Sequence, residues 1–398
     1  MKILHITDYL MPKMGYQDFL LAKWNKKQNN DTYIITSNKY FPVPNYNSTW
    51  KKFLGPREIR TGWSIIDGVK ILRKKIYFEV NSRVWISNLE NEIINIKPDI
   101  IMVHNTASFS SLRVAMLCKR NNIPCMFDNH MLYSVVSNSL IGKLYYFIVK
   151  NFLSVFLSKV AYKIIGVTSE TCHYLEHKEG YAKHKIFHLP LGIDHEFFYP
   201  RRNNKFNKKN KEFKIVQTGK LNEDKKPQWT AKAVLELLEK GEKISLEFIG
   251  GGSKKIISQI KSDFKSKKFH KKIKFTNFQY KNDLRKSYNN NDLFIFPEGA
   301  SLSALEVAAC RKPVIMADYF VSKSRVKLGI GITYKTGNIE DLKKKILSLT
   351  NNKKFYYKLC NKSYNGVIQN FTYSEISKTF IKLCKKAIKK SKSDKLFK

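Results

Sequence analysis

FPEGASLSALEVAACRKPV, residues 296–314, decides how this chain is read. It opens at the end of an apolar run, DLFIFPE, that reads as a buried strand. It continues through a small-residue loop and a helical stretch into a second apolar run, PVIMAD. Strand, loop, helix, strand is the repeating unit of a parallel sheet. Two carboxylates, Glu298 and Glu306, are set into this unit with seven residues between them. One falls in the loop and the other on the helix, which does not suit a paired acid and base. Each must serve a different group, in a chain whose formal net charge is +41.

The alternation extends outward from this stretch. Towards the N-terminus, the runs KILHIT, TYIITS, DIIMVHN, PCMFDNH, KIIGVT and KIFHLPLG read as strands. Helical segments such as QDFLLAKWNKKQ and SLRVAMLCKRNN lie between them. Residues 201–213, RRNNKFNKKNKEF, are polar and basic and read as a linker. The alternation restarts at KIVQTGK, ISLEFIGGG and KIKFTN. The pattern predicts an α/β protein with two Rossmann-like domains facing a cleft, over residues 1–200 and 201–375. Residues 376–398 are expected to form a C-terminal helix that ends in a frayed basic tail.

Composition sets the outer limits. Hydrophobic residues make up 43% and charged residues 26% of the 398, which suits a soluble globular chain. No run of eighteen apolar residues occurs, and MKILHITDYL reads as a strand and not as a signal peptide. The six cysteines lack Cys-x-x-Cys spacing, so neither a disulfide framework nor a zinc site is expected, and a cytoplasmic setting fits. The positive excess favours polyanions or anionic lipid headgroups as partners. Segment 141–162, IGKLYYFIVKNFLSVFLSKVAY, carries large apolar residues with Lys143, Lys150 and Lys159. As a helix it either lies on a membrane surface or packs into the core. His173-Tyr-Leu-Glu-His177 matches a zinc-binding H-x-x-E-H pattern, but it falls between two strands and is taken as chance.

In doubly wound sheets ligands gather beyond the carboxyl ends of the strands. Gly15, Gly219, Gly250 and the Glu298-Gly299-Ala300-Ser301 loop all follow strands, with Lys220 and Lys225 just behind Gly219. Glycine lets backbone amides approach an anion, and a following helix adds positive potential. Glu306 has a purely structural alternative, because Ser303-Ala-Leu-Glu306 is also a capping box.

These residues together resemble the family 4 retaining glycosyltransferases, of the group 1 type and GT-B fold. Glu298-GASLSAL-Glu306 is similar to that family's Glu, seven residues, Glu signature. PLGIDHEFFYP (190–200) resembles its inter-domain segment, and GKLNEDKK (219–226) its Gly-Arg-Leu-loop-Lys, with Lys220 at the arginine position. The resemblance runs from residue 1 to about 385. It departs where Gly15 is followed by Tyr16 in place of a second glycine, and where Gly251 replaces an acidic residue.

The resemblance implies a cytoplasmic, membrane-peripheral enzyme that moves a sugar from a nucleotide-diphosphate donor to a hydroxyl of a surface polysaccharide or lipid-linked glycan, as in capsule or lipopolysaccharide synthesis. Lys220 and Lys225 would neutralise the diphosphate, assisted by the amides of Ala300, Ser301, Leu302 and Ser303. Glu306 would hold the ribose, and Glu298 would face the donor sugar. His130 would stand near the donor sugar and acceptor, and Phe278 and Gln279 near the base. Gly15, Gly219 and Gly250 would line the donor site. No Asp-x-Asp pattern stands in a matching place, so no metal or other cofactor is expected. Two other classes are kept open: an epimerase or phosphorylase of the same fold, and a basic nucleic-acid-binding protein, which leaves the two glutamates unexplained.

Overall fold

The computed structural model describes residues 1–131, 139–201, 212–299 and 301–396. The chain divides into two compact units, one of Met1–Leu191 with Tyr373–Lys398 and one of Gly192–Thr372. Sequence reading set these divisions near 200 and 375 and gave the last segment a place of its own. Most of the expected linker, residues 202–211, lies outside the described residues.

The second unit is a six-stranded parallel sheet. Its strands run Ile273–Thr276, Ile244–Ile249, Phe213–Thr218, Leu293–Phe296, Val314–Ala317 and Ile332–Tyr334 across the sheet. In chain order this is 3-2-1-4-5-6, the doubly wound arrangement. Helices cover both faces, so central strands such as LFIF and VIMA are buried throughout and read as unbroken apolar runs. One face packs Ile215, Leu246 and Phe248 against Val234 and Ile346; the other packs Val216 and Phe294 against Leu305 and Ala308.

The first unit repeats the plan with seven parallel strands and one antiparallel edge. Across the sheet they run Ile186–His188, Lys163–Gly166, Cys125–Asn129, Ile100–His104, Lys2–Thr7, Asp31–Ser37, Val69–Lys74 and Gly62–Ile66. The edge strand enters through a two-residue hairpin at Asp67 and Gly68, with φ of 49° and 78°. Positive φ at both central residues gives the turn a twist that matches the strands, and Asp-Gly supplies it readily. A second hairpin, Ile76–Val80 with Arg83–Ile86, turns at Asn81 and Ser82 with φ of 46° and 60°. The strand-helix alternation passes over both hairpins.

The tail is helical from Tyr373 through Leu396 and does not fray over that span. Phe380, Cys384 and Ala387 recur at helical spacing and are buried with Phe19, Leu20 and Trp24 of the helix Gln17–Lys27. Polar contacts fix the register: Gln28 Nε2 donates to Ser374 O at 2.8 Å and Ser377 Oγ to Asn25 Oδ1 at 2.6 Å. The segment therefore completes the core of the first unit and is not an appendage. Phe380→Ala is expected to destabilise that unit by about 3–5 kcal/mol, the cost of emptying a fully buried aromatic site. Urea unfolding followed in the first unit checks this, and an unchanged midpoint would show that the helix does not hold the core.

Candidate active site

In the second unit the strands Phe213–Thr218 and Leu293–Phe296 are neighbours, and the loops at their carboxyl ends hold the predicted residues. The first loop is shaped by close backbone approach. A Cβ added at Gly250 would stand 2.0 Å from Gly219 O, and one at Gly252 would stand 2.4 Å from Leu221 O. The loops at 219–221 and 250–252 thus lie backbone to backbone. Gly219 N–H donates to Ile249 O at 3.0 Å and Gly250 N–H to Thr276 O at 2.9 Å. Those two amides are committed to backbone partners and not offered to an anion. Lys220 is exposed beyond them.

Lys225 ends a short 3-10 turn, Glu223–Lys225, and its ammonium reaches the second loop. A Cβ added at Gly299 would lie 3.5 Å from Lys225 Nζ, and the same ammonium is 3.6 Å from Asp224 Oδ2. Gly299 adopts φ 73°, a turn conformation that favours glycine. Beside it Glu298 is half-buried and lies near the Tyr319 hydroxyl. Burial first, then Glu298, pushes that phenol up to about 12. Tyr334 Oη donates to Pro297 O at 3.1 Å and anchors the start of the loop.

Ala300 lies outside the described residues. Ser301 Oγ accepts from Ser303 N–H at 3.1 Å, and Ser301 O accepts from Arg325 Nη1 at 2.7 Å. Arg325 is buried, and desolvation lowers its pKa to about 10. It sets a positive charge behind the loop where lysines alone were expected, and nothing near SKSRVK in the sequence marks it out. Helix Ser303–Ala309 is capped at Leu302 without a side-chain bond. The capping box is therefore not formed; Glu306 Oε2 instead accepts from Tyr288 Oη at 3.0 Å. Burial pushes the Glu306 carboxyl up to about 7, partly offset by the Tyr288 hydrogen bond and the charge of Lys281. Phe278 is exposed after the strand Ile273–Thr276, and Gln279 Oε1 accepts from Ser287 Oγ at 2.7 Å.

In the first unit, Gly15 takes φ 68° and closes the turn Pro12–Met14, with its amide on Pro12 O. His130 follows the strand Cys125–Asn129, its side chain 47% exposed and its Nε2 3.7 Å from Asp128 Oδ1. Behind it runs a buried chain of hydrogen bonds that sequence reading missed. Ser377 Oγ donates to Asn25 Oδ1, and Asn25 Nδ2 donates to His5 Nε2 at 3.0 Å. His5 Nδ1 then donates to His104 Nε2 at 2.9 Å, and His104 Nδ1 to Asp128 Oδ2 at 2.7 Å. With Asn25 donating, both imidazoles are single tautomers and every donor points towards Asp128. Burial and then His104 keep His5 well below the usual imidazole range. Burial alone would raise Asp128, but His104 and His130 outweigh it and hold that carboxyl well below the usual carboxylate range. The exposed His130 therefore stands beside a buried, ionised carboxylate.

His173 and His177 are exposed and stack with ring centroids 4.0 Å apart, and no group of three metal-ligating side chains occurs among the described residues. All six cysteines are free.

The fold is of the GT-B type. Residues 40–197 match the family profile described as Glycosyltransferase Family 4, and residues 199–366 the one described as Glycosyl transferases group 1. The chain belongs to these group 1, family 4 glycosyltransferases. Its fold is similar to that of a glycosyltransferase from Rickettsia africae, at 15% identity over 98% of each chain with a TM-score of 0.68. It is similar also to a sucrose-phosphate synthase from Thermosynechococcus elongatus, at 15% identity over 97% and 98% of the two chains with a TM-score of 0.67. Anabaena Alr3699/HepE, solved in complex with UDP, matches at 13% identity over 96% and 99% with a TM-score of 0.67. No curated protein matches the sequence.

The raised Glu306 has a consequence for stability. A carboxyl shifted from 4.5 to about 7 on folding adds stability that is fully present below pH 4.5 and is lost as pH rises through 7. Glu306→Gln keeps an acceptor for Tyr288 without the charge. It is expected to match wild type near pH 4 and to exceed it by about 1–3 kcal/mol near pH 8. Denaturant unfolding at both pH values checks this; equal offsets at both would mean that the carboxyl is ordinary.

Proposed function

We propose that this enzyme transfers a sugar, with retention, from a nucleotide-diphosphate donor to a hydroxyl of a surface polysaccharide or lipid-linked glycan. One observation carries the reading: the Lys225 ammonium lies against Gly299, beside Glu298, where two neighbouring strands of the second sheet end. Cation, small-residue loop and carboxylate are thus gathered at the position where doubly wound sheets hold nucleotides. The complex of Anabaena Alr3699/HepE with UDP supports the donor class.

Lys220 and Lys225 take the diphosphate, whose negative charge grows as the glycosidic bond breaks, and Arg325 adds positive potential from behind the loop. Lysine and arginine meet that charge without a divalent ion. Glu306, neutral or ionised near pH 7, accepts from the ribose hydroxyls. Glu298 holds the sugar and stabilises positive charge at the anomeric carbon. Phe278 offers an exposed ring to the base. His130, with ionised Asp128 behind it, offers an exposed imidazole to acceptor hydroxyls. Catalysis is then mainly positioning and electrostatics.

Glu298→Gln is expected to lower kcat by about 100- to 1000-fold with little change in donor binding, because its contact strengthens as the anomeric centre becomes positive. Steady-state kinetics on the folded variant decides this, and unchanged turnover removes Glu298 from the mechanism.

We also assign the enzyme to the cytoplasmic face of a membrane. No helix among the described residues is long and apolar enough to cross one. The stretch from Leu140 through Val160 buries Val149, Ser154 and Leu157 but leaves Leu144, Phe147, Phe152 and Val155 exposed beside Lys143, Lys150 and Lys159. Such a face suits the boundary of an anionic bilayer, where each lysine contributes about 1 kcal/mol. Replacing Phe147 and Phe152 together by Ser is expected to release the protein from anionic vesicles in co-sedimentation. Retention equal to wild type would remove this face from the interaction.

A further inference from the structure

A cavity of about 590 Å³ opens in the first unit and takes in Lys159 from the end of the basic stretch described above. Its walls include Ile123 and Pro124, just before the strand Cys125–Asn129, and Tyr162, just before Lys163–Gly166. It therefore sits at the amino ends of these strands. His130 follows the carboxyl end, about 16 Å along a five-residue strand.

Four lysines enter this cavity from four different elements. Lys119 comes from the helix Phe109–Asn121, Lys159 from Ser154–Val160, Lys185 from the turn Lys183–Lys185 and Lys390 from the C-terminal helix. No aspartate or glutamate among the described residues lines it. None of the four is ion-paired to a carboxylate among the described residues; Lys185 Nζ donates to Ala161 O at 2.9 Å, and Lys119 lies 5.7 Å from the centre of the Phe156 ring. Lys185 is half-buried, and its pKa is lowered by burial and then by the charges of Lys390 and Lys163.

Exposed lysines on a basic surface ordinarily spread into solvent, where water screens them. Here separate parts of the chain bring them to one concavity, and their mutual repulsion opposes folding until a counter-charge arrives. An ammonium suits phosphate as a compact point charge with rotatable donors. The volume falls within the range of small-molecule sites, and Ile123, Pro124 and Val160 give it an apolar floor. We propose that this cavity is a second anion site, which binds a phosphate- or polyphosphate-bearing molecule apart from the sugar donor. The group comes either from an anionic lipid headgroup or from a soluble polyphosphate.

The test compares Lys185→Gln/Lys390→Gln with a control of equal charge, Lys232→Gln/Lys265→Gln, on exposed lysines of the second unit. Lys220 and Lys225 stay in place, so failure of the donor reading does not affect the outcome. Inorganic tripolyphosphate is titrated by calorimetry at physiological salt, and vesicles of phosphatidylglycerol in phosphatidylcholine are used in co-sedimentation. The cavity variant is expected to lose affinity about tenfold or more, and the control less than about twofold. A selective loss for tripolyphosphate identifies the soluble source. A selective loss confined to vesicles identifies the headgroup. Equal losses in both variants, or no binding that depends on the cavity lysines, overturn the proposal.

Discussion

The candidate site depends on one topological constraint. In the second sheet Phe213–Thr218 pairs on one side with the strand that follows it and on the other with Leu293–Phe296, reached much later. Right-handed crossovers carry the chain away from this junction in opposite directions. The loops that leave the two strands must part, and the gap between them cannot be filled by either crossover. Lys225, Glu298 and Gly299 collect at that gap because the strand order leaves it there. The glycines at 250 and 252 have a structural purpose besides any ligand contact. They let two loops run backbone to backbone, which fixes where the lysines behind them begin.

Environment gives chemically similar groups different characters. Glu306 is poised near neutrality by burial with one phenol donor, whereas Asp128, also buried, is held ionised by two imidazoles. The difference lies in the partners each carboxyl meets, the His104 N–H and the nearby His130 at Asp128 against the Tyr288 hydroxyl at Glu306. Arg325 is the complementary case, a buried guanidinium whose described acceptor is the Ser301 carbonyl. Its charge is thus kept close to the loop instead of being cancelled by a carboxylate.

The strands, their parallel sense and the glutamate loop were legible because buried strands such as LFIF and VIMA carry nothing but apolar residues. Chemistry confined to one loop travels with its spacing. What escaped was chemistry assembled across sequence distance. His5 and His104 are 99 residues apart and meet only because their strands are adjacent in the sheet. Each alone looks like a stray polar residue in an apolar run. The capping box was a local rule overridden by a tertiary partner, Tyr288. The hairpins at Asp67 and Asn81 carried turn signals that a search for strand-helix alternation does not weigh.

The return of the last helix to the first unit also orders events during synthesis. Residues 192–372 form a compact unit whose core is made from a continuous segment, so it can close as soon as that segment is free of the ribosome. The first unit cannot. Until residues 373–387 emerge, Phe19, Leu20 and Trp24 face water with their partners still untranslated. The part of the chain made first is thus finished last, and for that interval its open apolar face is the one a chaperone would cover.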